Sequence, residues 1–490
     1  MKSYTTILKK FALLCVVFGC SMNVGNALDI SVDLGSFFNG EKSYGEVYLR
    51  ISGNSLKMRS SKKSDRQQAS VEVTILVNQG EQIITYDKFT LRTSFRDEIT
   101  DLIDIKRFAL EKGSYSIRVQ AVDSNDPDNT IDLEKFLTID DYTSEVSMSD
   151  VILFSSVKEA KKELPSTKNG LIMEPLSFMN ATEDVDQLYI YTETYRAASI
   201  DALTFIKYSI ISGFEQYNGT DEVMKKVKKV DGKSLEPHLL TLPVDELLSG
   251  KYHVKVELIN KEKNVLAFRT ADFVKQNKTY DFKHYKEYDK EDTKTFVGVM
   301  DEDSLNYVLR ATTPLILEPK KSMVDYIIDK GTVNSKKKFL YDLWKEKTPV
   351  NTPENFSKYM EVADNVEKEF NSNVGLGFET DRGYTYLKYG KPNNIISIDT
   401  EVDAFPYEIW YYSFVPFTNQ TNVRFLFYNR SLVHNDYSLL HSTCRGERQS
   451  PNWEVQLYAK GLEVLDQNPI DATSVQDSWN RNAKRYFNDF

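Results

Sequence analysis

Val71-Glu72-Val73-Thr74-Ile75-Leu76-Val77 carries apolar side chains at every odd position. Successive side chains of an extended chain point to opposite faces, so this stretch reads as a strand with Val71, Val73, Ile75 and Val77 on a core. The same period runs outward. Val47, Leu49 and Ile51 alternate with Glu46, Tyr48 and Arg50, which predicts one face in a core and the other in water. Residues 83–91 and 115–122 continue the series. Polar turns separate the strands. The densest, Asp123-Ser-Asn-Asp-Pro-Asp-Asn129, predicts a hairpin turn rather than a calcium loop. Short strands between polar turns predict a β-sandwich over 28–143.

A second strand set follows, with residues 188–195 and 203–211 as its clearest members. Gly250-Lys-Tyr252-His-Val254-Lys-Val256 echoes Gly113-Ser-Tyr115-Ser-Ile117-Arg-Val119. The echo predicts a duplication, with a second immunoglobulin-like or fibronectin-like sandwich over 147–276. The basic run from Lys225 to Lys233 reads as a solvated loop or helix face. Gly232-Lys233-Ser234 mimics the end of a phosphate loop, but Val227 stands where that motif needs its first glycine.

From about Tyr280 the period changes to 3.6, which predicts a helical connector over 280–334. Leu305, Val308 and Leu309 share a helix face, with Asp303 read as its cap. Val324, Ile327 and Ile328 form a second stripe, and Phe339, Leu340, Leu343 and Trp344 a third. The longest stripe is Phe356, Tyr359, Met360, Ala363, Val366 and Phe370, on a helix read as capped by Thr352 with Pro353 at its first position.

The chain has 490 residues, of which 41% are hydrophobic and 27% charged. Its net charge of −10 argues against a nucleic-acid partner, which needs a basic face to displace counterions. Three cysteines exclude a disulfide-dense scaffold. Lys2, Lys9 and Lys10 precede a short apolar run from Phe11 to Gly19, the pattern of an export leader. Two readings stay open. Gly25-Asn26-Ala27 offers a cleavage site after Ala27, and Val17-Phe18-Gly19-Cys20 is similar to a lipobox, with 1–19 removed and Cys20 acylated. Contact with a membrane is expected only through that lipid. Either cut leaves Cys444 without an internal thiol other than Cys20, so packed cores must hold the domains.

The region from Gly375 to Lys460 is the most specific. It opens Gly377-Phe378-Glu379-Thr380-Asp381-Arg382-Gly383. Tyr384-Thr-Tyr386-Leu-Lys-Tyr389 follows and reads as a strand with Tyr384 and Tyr386 on one face. Next come the turn Gly390-Lys391-Pro392-Asn393 and the stretch Pro406-Tyr407-Glu408-Ile409-Trp410-Tyr411-Tyr412. This pattern resembles the GWxTD-domain family over about 335–465, with Phe378 where the family has Trp. Thr352-Pro353-Glu354-Asn355 and the helix carrying Trp344 match it too. The resemblance implies an exported envelope protein of a Gram-negative bacterium, with β domains ahead of the signature module. It implies no activity.

Read physically, Gly377 and Gly383 flank a tight turn that calls for positive φ. Asp381 accepts backbone N–H groups there or pairs with Arg382, and Thr380 caps the loop. Phe378 keeps an aromatic packing role. Tyr386, Trp410 and Tyr412 form either a buried layer or an exposed stacking platform.

Catalytic signatures are missing: no G-x-S-x-G elbow, H-E-x-x-H helix or C-x-x-C pair occurs. Cys444 and His441 lie three apart, which in a strand sets them on opposite faces. A zinc site from His434, Asp436, His441 and Cys444 is disfavoured. No metal and no cofactor are expected. The tail, 466–490, is polar with a terminal aromatic.

Together these readings predict an α+β multidomain protein: two tandem sandwiches, a helical connector and a small mixed C-terminal module. Its expected role is a non-catalytic exported binding or assembly component with an envelope protein or glycan as partner. The alternative is a cell-wall or polysaccharide-acting enzyme, or a carbohydrate-binding protein. Intact mass spectrometry of protein recovered from bacterial envelopes tests the leader. The expected mass begins at Leu28, or at an acylated Cys20; the mass of the full chain refutes export.

Overall fold

A computed structural model describes residues 28–61, 64–93, 100–143, 146–160, 162, 167–195, 204–213, 222–288, 294–316, 318–372, 375–416, 418, 420–461 and 481–488. The leader, with Cys20 and Ala27, and residues 466–480 of the tail lie outside the described residues. The chain is mostly β-sheet, in several sheets, with helices between residues 278 and 389 and two short ones near the C-terminus. It divides into two compact units. One comprises the described residues up to Phe178 with 189–204 and 230–240; the other comprises 179–188, 205–229 and the rest.

Seven principal strands come first: β1 (Ile30–Phe38), β2 (Ser43–Ile51), β3 (Ser70–Gln79), β4 (Gln82–Arg92), β5 (Leu102–Ala109), β6 (Gly113–Asp123) and β7 (Asp126–Ile139). They form the sheets β1-β2-β5 and β4-β3-β6-β7. The two sheets share one apolar core, to which β2 gives Val47, Leu49 and Ile51, β3 gives Val71, Val73, Ile75 and Val77, and β6 gives Ile117 and Val119. The expected hairpin is present, but its turn is only Ser124-Asn125, with Asp126 to Asn129 already in β7; the Asp123 carboxylate accepts the N–H groups of Lys57 and Asn125 at 2.6 and 2.8 Å.

Seven more strands repeat this order: β8 (Ile152–Glu159), β9 (Gln187–Tyr195), β10 (Thr204–Ser212), β11 (Glu222–Lys229), β12 (Leu235–Pro243), β13 (Gly250–Asn260) and β14 (Val265–Lys275). Their pairings β8-β9-β12 and β11-β10-β13-β14 repeat the order of the strands seven places earlier, within two five-stranded sheets that also hold the short strands Ser147–Met148 on β9, Leu171–Pro175 on β8 and Asn180–Ala181 on β14. The Gly-x-Tyr echo has a structural counterpart. Tyr115 donates its hydroxyl to the Glu111 carbonyl at 2.9 Å, and Tyr252 donates to the Leu248 carbonyl at 2.7 Å. Each bond reaches four residues back and pins the entry to its strand.

Two expectations need correction here. Of the basic run only 230–233 is the expected loop; Lys225 to Lys229 lies in β11, an exposed strand that pairs with β10 on one side and with no described strand on the other. Lysines on an edge strand repel further pairing, which reconciles a basic run with sheet structure. The second concerns β2. Glu46 and Tyr48 do not face water: both are 0% exposed. Phe37, Tyr48 and Ile105 pack with Ile152, Phe154 and Tyr191 of β8 and β9, so a second sheet covers the face that alternation assigns to solvent.

That covered face holds charge. Glu46 accepts from Arg107 Nε at 2.8 Å, from Lys168 Nζ at 2.7 Å and from the Tyr48 hydroxyl. Lys168 also lies 3.5 Å from Glu193 and 3.2 Å from the Phe37 ring centroid. Tyr191 and Tyr195 donate to the two oxygens of Glu193 at 2.5 and 2.8 Å. Burial pulls the Lys168 ammonium below its usual range, against the opposing pull of Glu46 and Glu193.

The helices are α1 (Lys278–Lys286), α2 (Glu302–Thr312), α3 (Glu318–Lys330), α4 (Val333–Lys347), α5 (Thr352–Phe370) and α6 (Asp381–Tyr389). A sheet in the order β15 (Asn394–Ile398), β16 (Tyr407–Val415), β17 (Gln420–Tyr428) and β18 (Ser438–Ser442) follows, then α7 (Trp453–Leu457) and α8 (Ala483–Asn488). Leu305, Val308, Leu309, Val324, Ile327 and the α4 stripe meet in one core, as their spacing predicts. The caps differ from expectation. Asp301, not Asp303, caps α2 by accepting the Ser304 N–H at 2.8 Å. Asn351, at φ 56°, precedes α5, and Thr352 is its first helical residue, donating back to the Thr348 carbonyl. Among the described residues no helix is long and apolar enough to cross a membrane.

Removing one member of a buried ion network leaves the others uncompensated. Glu46→Ala is expected to lower unfolding stability by about 3–5 kcal/mol in urea titrations. Arg118→Ala, which cuts only the exposed pair with Asp132, is expected to leave the midpoint nearly unchanged.

Candidate functional site

The signature segment is built differently from its sequence reading. Residues 377–379 form a single tight helical turn, and Asp381 to Tyr389 form a helix, not a strand. Thr380 decides this. Its hydroxyl accepts the Gly383 N–H at 3.1 Å and donates to the Gly377 carbonyl at 2.7 Å, closing both the turn and the cap. Gly390, at φ 83°, ends the helix. Tyr384 and Tyr386 therefore do not share a face; Tyr386 and Tyr389, three apart, do.

Gly377 and Gly383 do not have positive φ. They are glycines because backbones touch. A Cβ at Gly383 would lie 2.0 Å from the Gly377 carbonyl oxygen, and a Cβ at Gly377 would lie 2.4 Å from the Glu367 carbonyl oxygen. The pair lets α6 start directly against the 377–379 turn and lets that turn sit on the last turns of α5. Phe378 is buried here, its ring edge-on to Tyr307 with centroids 5.3 Å apart. The aromatic at this position thus packs into the module.

Asp381 and Arg382 do not pair with each other. Adjacent residues of a helix diverge by about 100°, and each finds its own partner. Asp381 Oδ2 accepts the Leu439 N–H of β18 at 2.6 Å. Arg382 turns inward and is 5% exposed. Its Nη1 donates to Glu408 Oε1 at 2.7 Å, and its Nη2 donates to the carbonyl and the side chain of Asn435 at 3.1 and 3.2 Å. The guanidinium carbon lies 4.2 Å from the Tyr437 ring centroid and 5.0 Å from that of Phe370. Glu408 Oε2 accepts the Trp410 Nε1–H at 2.9 Å. Asn435, held at φ 61°, donates its amide to the carbonyls of Glu369 and Asn371, tying the cluster to the end of α5.

Trp410 and Tyr412 share a face of β16, as alternation predicts, and that face is core. Trp410 is 0% exposed, packed on Phe370, Tyr386 and Phe427. It is not a stacking platform. Above this layer opens a cleft of about 590 Å³, walled by Val362, Val366 and Glu369 of α5, by Ile395 of β15 and by Lys391, with Arg382, Tyr386 and Glu408 at its base. Arg382, Tyr386 and Trp410 from the predicted set thus line one cleft; Gly377, Thr380 and Gly383 build the frame; Asp381 braces β18 instead. Glu408, Asn435 and Lys391 were not singled out from sequence. Glu408 is signalled by its spacing, two residues from Trp410 on one strand face. Asn435 carries no local signal.

His434, Asp436, His441 and Cys444 are not assembled into a site. Among the described residues no group of three or more His, Cys, Asp or Glu stands ready for a metal. His441 Nδ1 accepts the Ser450 N–H at 2.9 Å, and its ring packs on Trp453 and Phe487, which docks α8. Cys444 is fully buried, and burial pushes its thiol up, away from the thiolate a nucleophile needs.

No family model matches the chain, and neither does any curated protein. Among solved structures it is similar to CBD12 from CALX1.2, with 13% identity, 45% of this chain and 77% of that one covered, and a TM-score of 0.13. It is also similar to the C-terminal domain of the antigen I/II-family protein AspA of Streptococcus pyogenes, with 8% identity, 51% and 99% covered and a TM-score of 0.16. A third is a glycosyl hydrolase family 2 member from Bacteroides cellulosilyticus, with 12% identity, 48% and 30% covered and a TM-score of 0.17.

The glycine contacts give a direct test. Gly383→Ala must push two backbone segments apart and is expected to cost about 1–3 kcal/mol in urea unfolding. Gly375→Ala, where a Cβ meets nothing within 4 Å, is expected to stay within about 0.5 kcal/mol of the parent.

Proposed function

We propose that the chain is a non-catalytic, exported cell-envelope component that docks a partner through its C-terminal module. One observation carries the reading: the charged groups at the base of the cleft are already engaged with each other. Glu408 uses one oxygen on Arg382 and the other on Trp410. A general acid or base needs a lone pair or proton aimed at substrate. Asp381, the other acid of the signature, is bonded to the Leu439 backbone. What the cleft offers a ligand is shape, an apolar wall and a charged rim, the make-up of a recognition site.

We further infer that each seven-strand set is a fibronectin-like or immunoglobulin-like sandwich, the two acting as a spacer. The repeated strand order supports this, as do the matched tyrosine bonds, since a tyrosine hydroxyl bonded a few residues upstream marks a corner in that class. The GWxTD-family reading is supported by the way Gly377, Phe378, Thr380, Arg382, Gly383 and Trp410 act in one site. The GWxTD resemblance and the leader sequence support a proposed location in the periplasm or at the outer membrane of a Gram-negative bacterium.

Capture from detergent-solubilised envelopes of the source cells tests the role. The full mature chain is expected to enrich a partner that Val362→Glu, which places a charge on the exposed cleft wall, fails to enrich. Equal recovery by both, or no partner, overturns docking at the cleft.

A further inference from the structure

β15 is an edge strand. It pairs with β16 on one side and with no described strand on the other. The register sets Ile395 opposite Trp410 and Ser397 opposite Glu408, so Ile395 and Ser397 project to the cleft face. Ile395 lines the cleft and is 47% exposed. Ile396 and Ile398 turn the other way and pack on the core that holds Tyr407 and Leu426. The Ile395 N–H donates to Asn394 Oδ1 at 2.9 Å, as an outward-pointing edge donor does when no neighbouring strand is present.

We propose that the groove between β15 and α5 takes an extended peptide of a partner protein, which adds to β15 as a fifth strand. The proposal rests on the docking reading and names its occupant. Strand addition supplies main-chain hydrogen bonds along a free edge, and pockets beside the edge read alternate side chains. The cleft sits at Ile395 and is large enough for a bulky apolar side chain. Charge narrows the ligand. Lys391 is exposed, makes no ion pair among the described residues, and stands in the turn that leads into β15. Arg382 Nε is buried on the same cleft without a hydrogen-bond partner. Lys391 favours a carboxylate at the N-terminal end of β15, while Glu369 on the facing helix repels one on the α5 side. The occupant is therefore an extended segment pairing a large apolar residue with a neighbouring acidic group.

Random peptides displayed on phage and panned on the full mature chain supply the probe. The best binder, fluorescently labelled, is then titrated by anisotropy. The enriched sequences are expected to share an apolar residue near an Asp, a Glu or a free C-terminus. Ile395→Pro removes the outward N–H at an edge position where proline is tolerated, and is expected to weaken binding about tenfold or more. Lys391→Glu is expected to weaken it several-fold, most at low salt. Should Ile395→Pro unfold, the same peptide N-methylated at alternate residues makes the equivalent cut on the ligand. No enriched sequence, or undiminished binding to Ile395→Pro or by the methylated peptide, overturns strand addition. An envelope partner lost from Val362→Glu but kept by Ile395→Pro overturns strand addition while leaving cleft docking in place.

Discussion

The bond between Arg382 and Glu408 is what the C-terminal module is arranged around. A guanidinium this deeply buried is costly unless its donors are met and its charge is balanced. Glu408 balances it, Asn435 meets a second nitrogen, and Tyr437 and Phe370 offer their ring faces. These partners come from β16, from the turn before β18 and from the end of α5. One side chain therefore fixes the helix pair α5 and α6 against the sheet. The contact also explains the glycines. Arg382 reaches Glu408 only if α6 starts hard against the 377–379 turn, and Gly377 and Gly383 permit that approach.

The first unit solves a related problem with the same chemistry. Sheet β1-β2-β5 is covered on both faces, so the polar side of an alternating strand has no solvent to face. Glu46 remains there because Arg107, Lys168 and Tyr48 all donate to it. A buried ion network adds little net stability over an apolar layer of equal volume, yet breaking one member is severe. Through Lys168, which lies 2.7 Å from Glu46 and 3.5 Å from Glu193, the network links β2 to β9.

Much of this was legible in the sequence. Period two placed the core faces of β2, β3 and β6, and period 3.6 placed the helical stripes, because burial repeats along a single element and needs no knowledge of partners. The failures are non-local. Nothing near Glu46 tells that a sheet more than 100 residues later covers it. Tyr384-Thr-Tyr386 mimics a strand over too short a span, and the cap at Thr380 with the stop at Gly390 outweighs it. Gly377 and Gly383 were read as turn glycines because chain conformation is local and close approach is not. Asp381 was read as accepting N–H groups of its own turn or pairing with the adjacent Arg382; a helix sends neighbours in different directions, and its acceptor role goes to the distant Leu439 N–H instead.

The same distinction separates a structural signature from a catalytic one. Thr, Asp and Arg in a row carry the donors and acceptors of an active site, and sequence alone leaves both readings open. Geometry divides them by asking where each lone pair goes. Thr380 caps a helix, Asp381 holds β18, and Arg382 is balanced by a carboxylate that is itself bonded to an indole. Every strong group of the motif is used within the fold except one nitrogen of Arg382. That nitrogen lies at the cleft whose wall includes Ile395 of β15, a strand with no described neighbour on its outer side. In this module the signature residues make the frame, and what they leave unfilled is the place where a partner can enter.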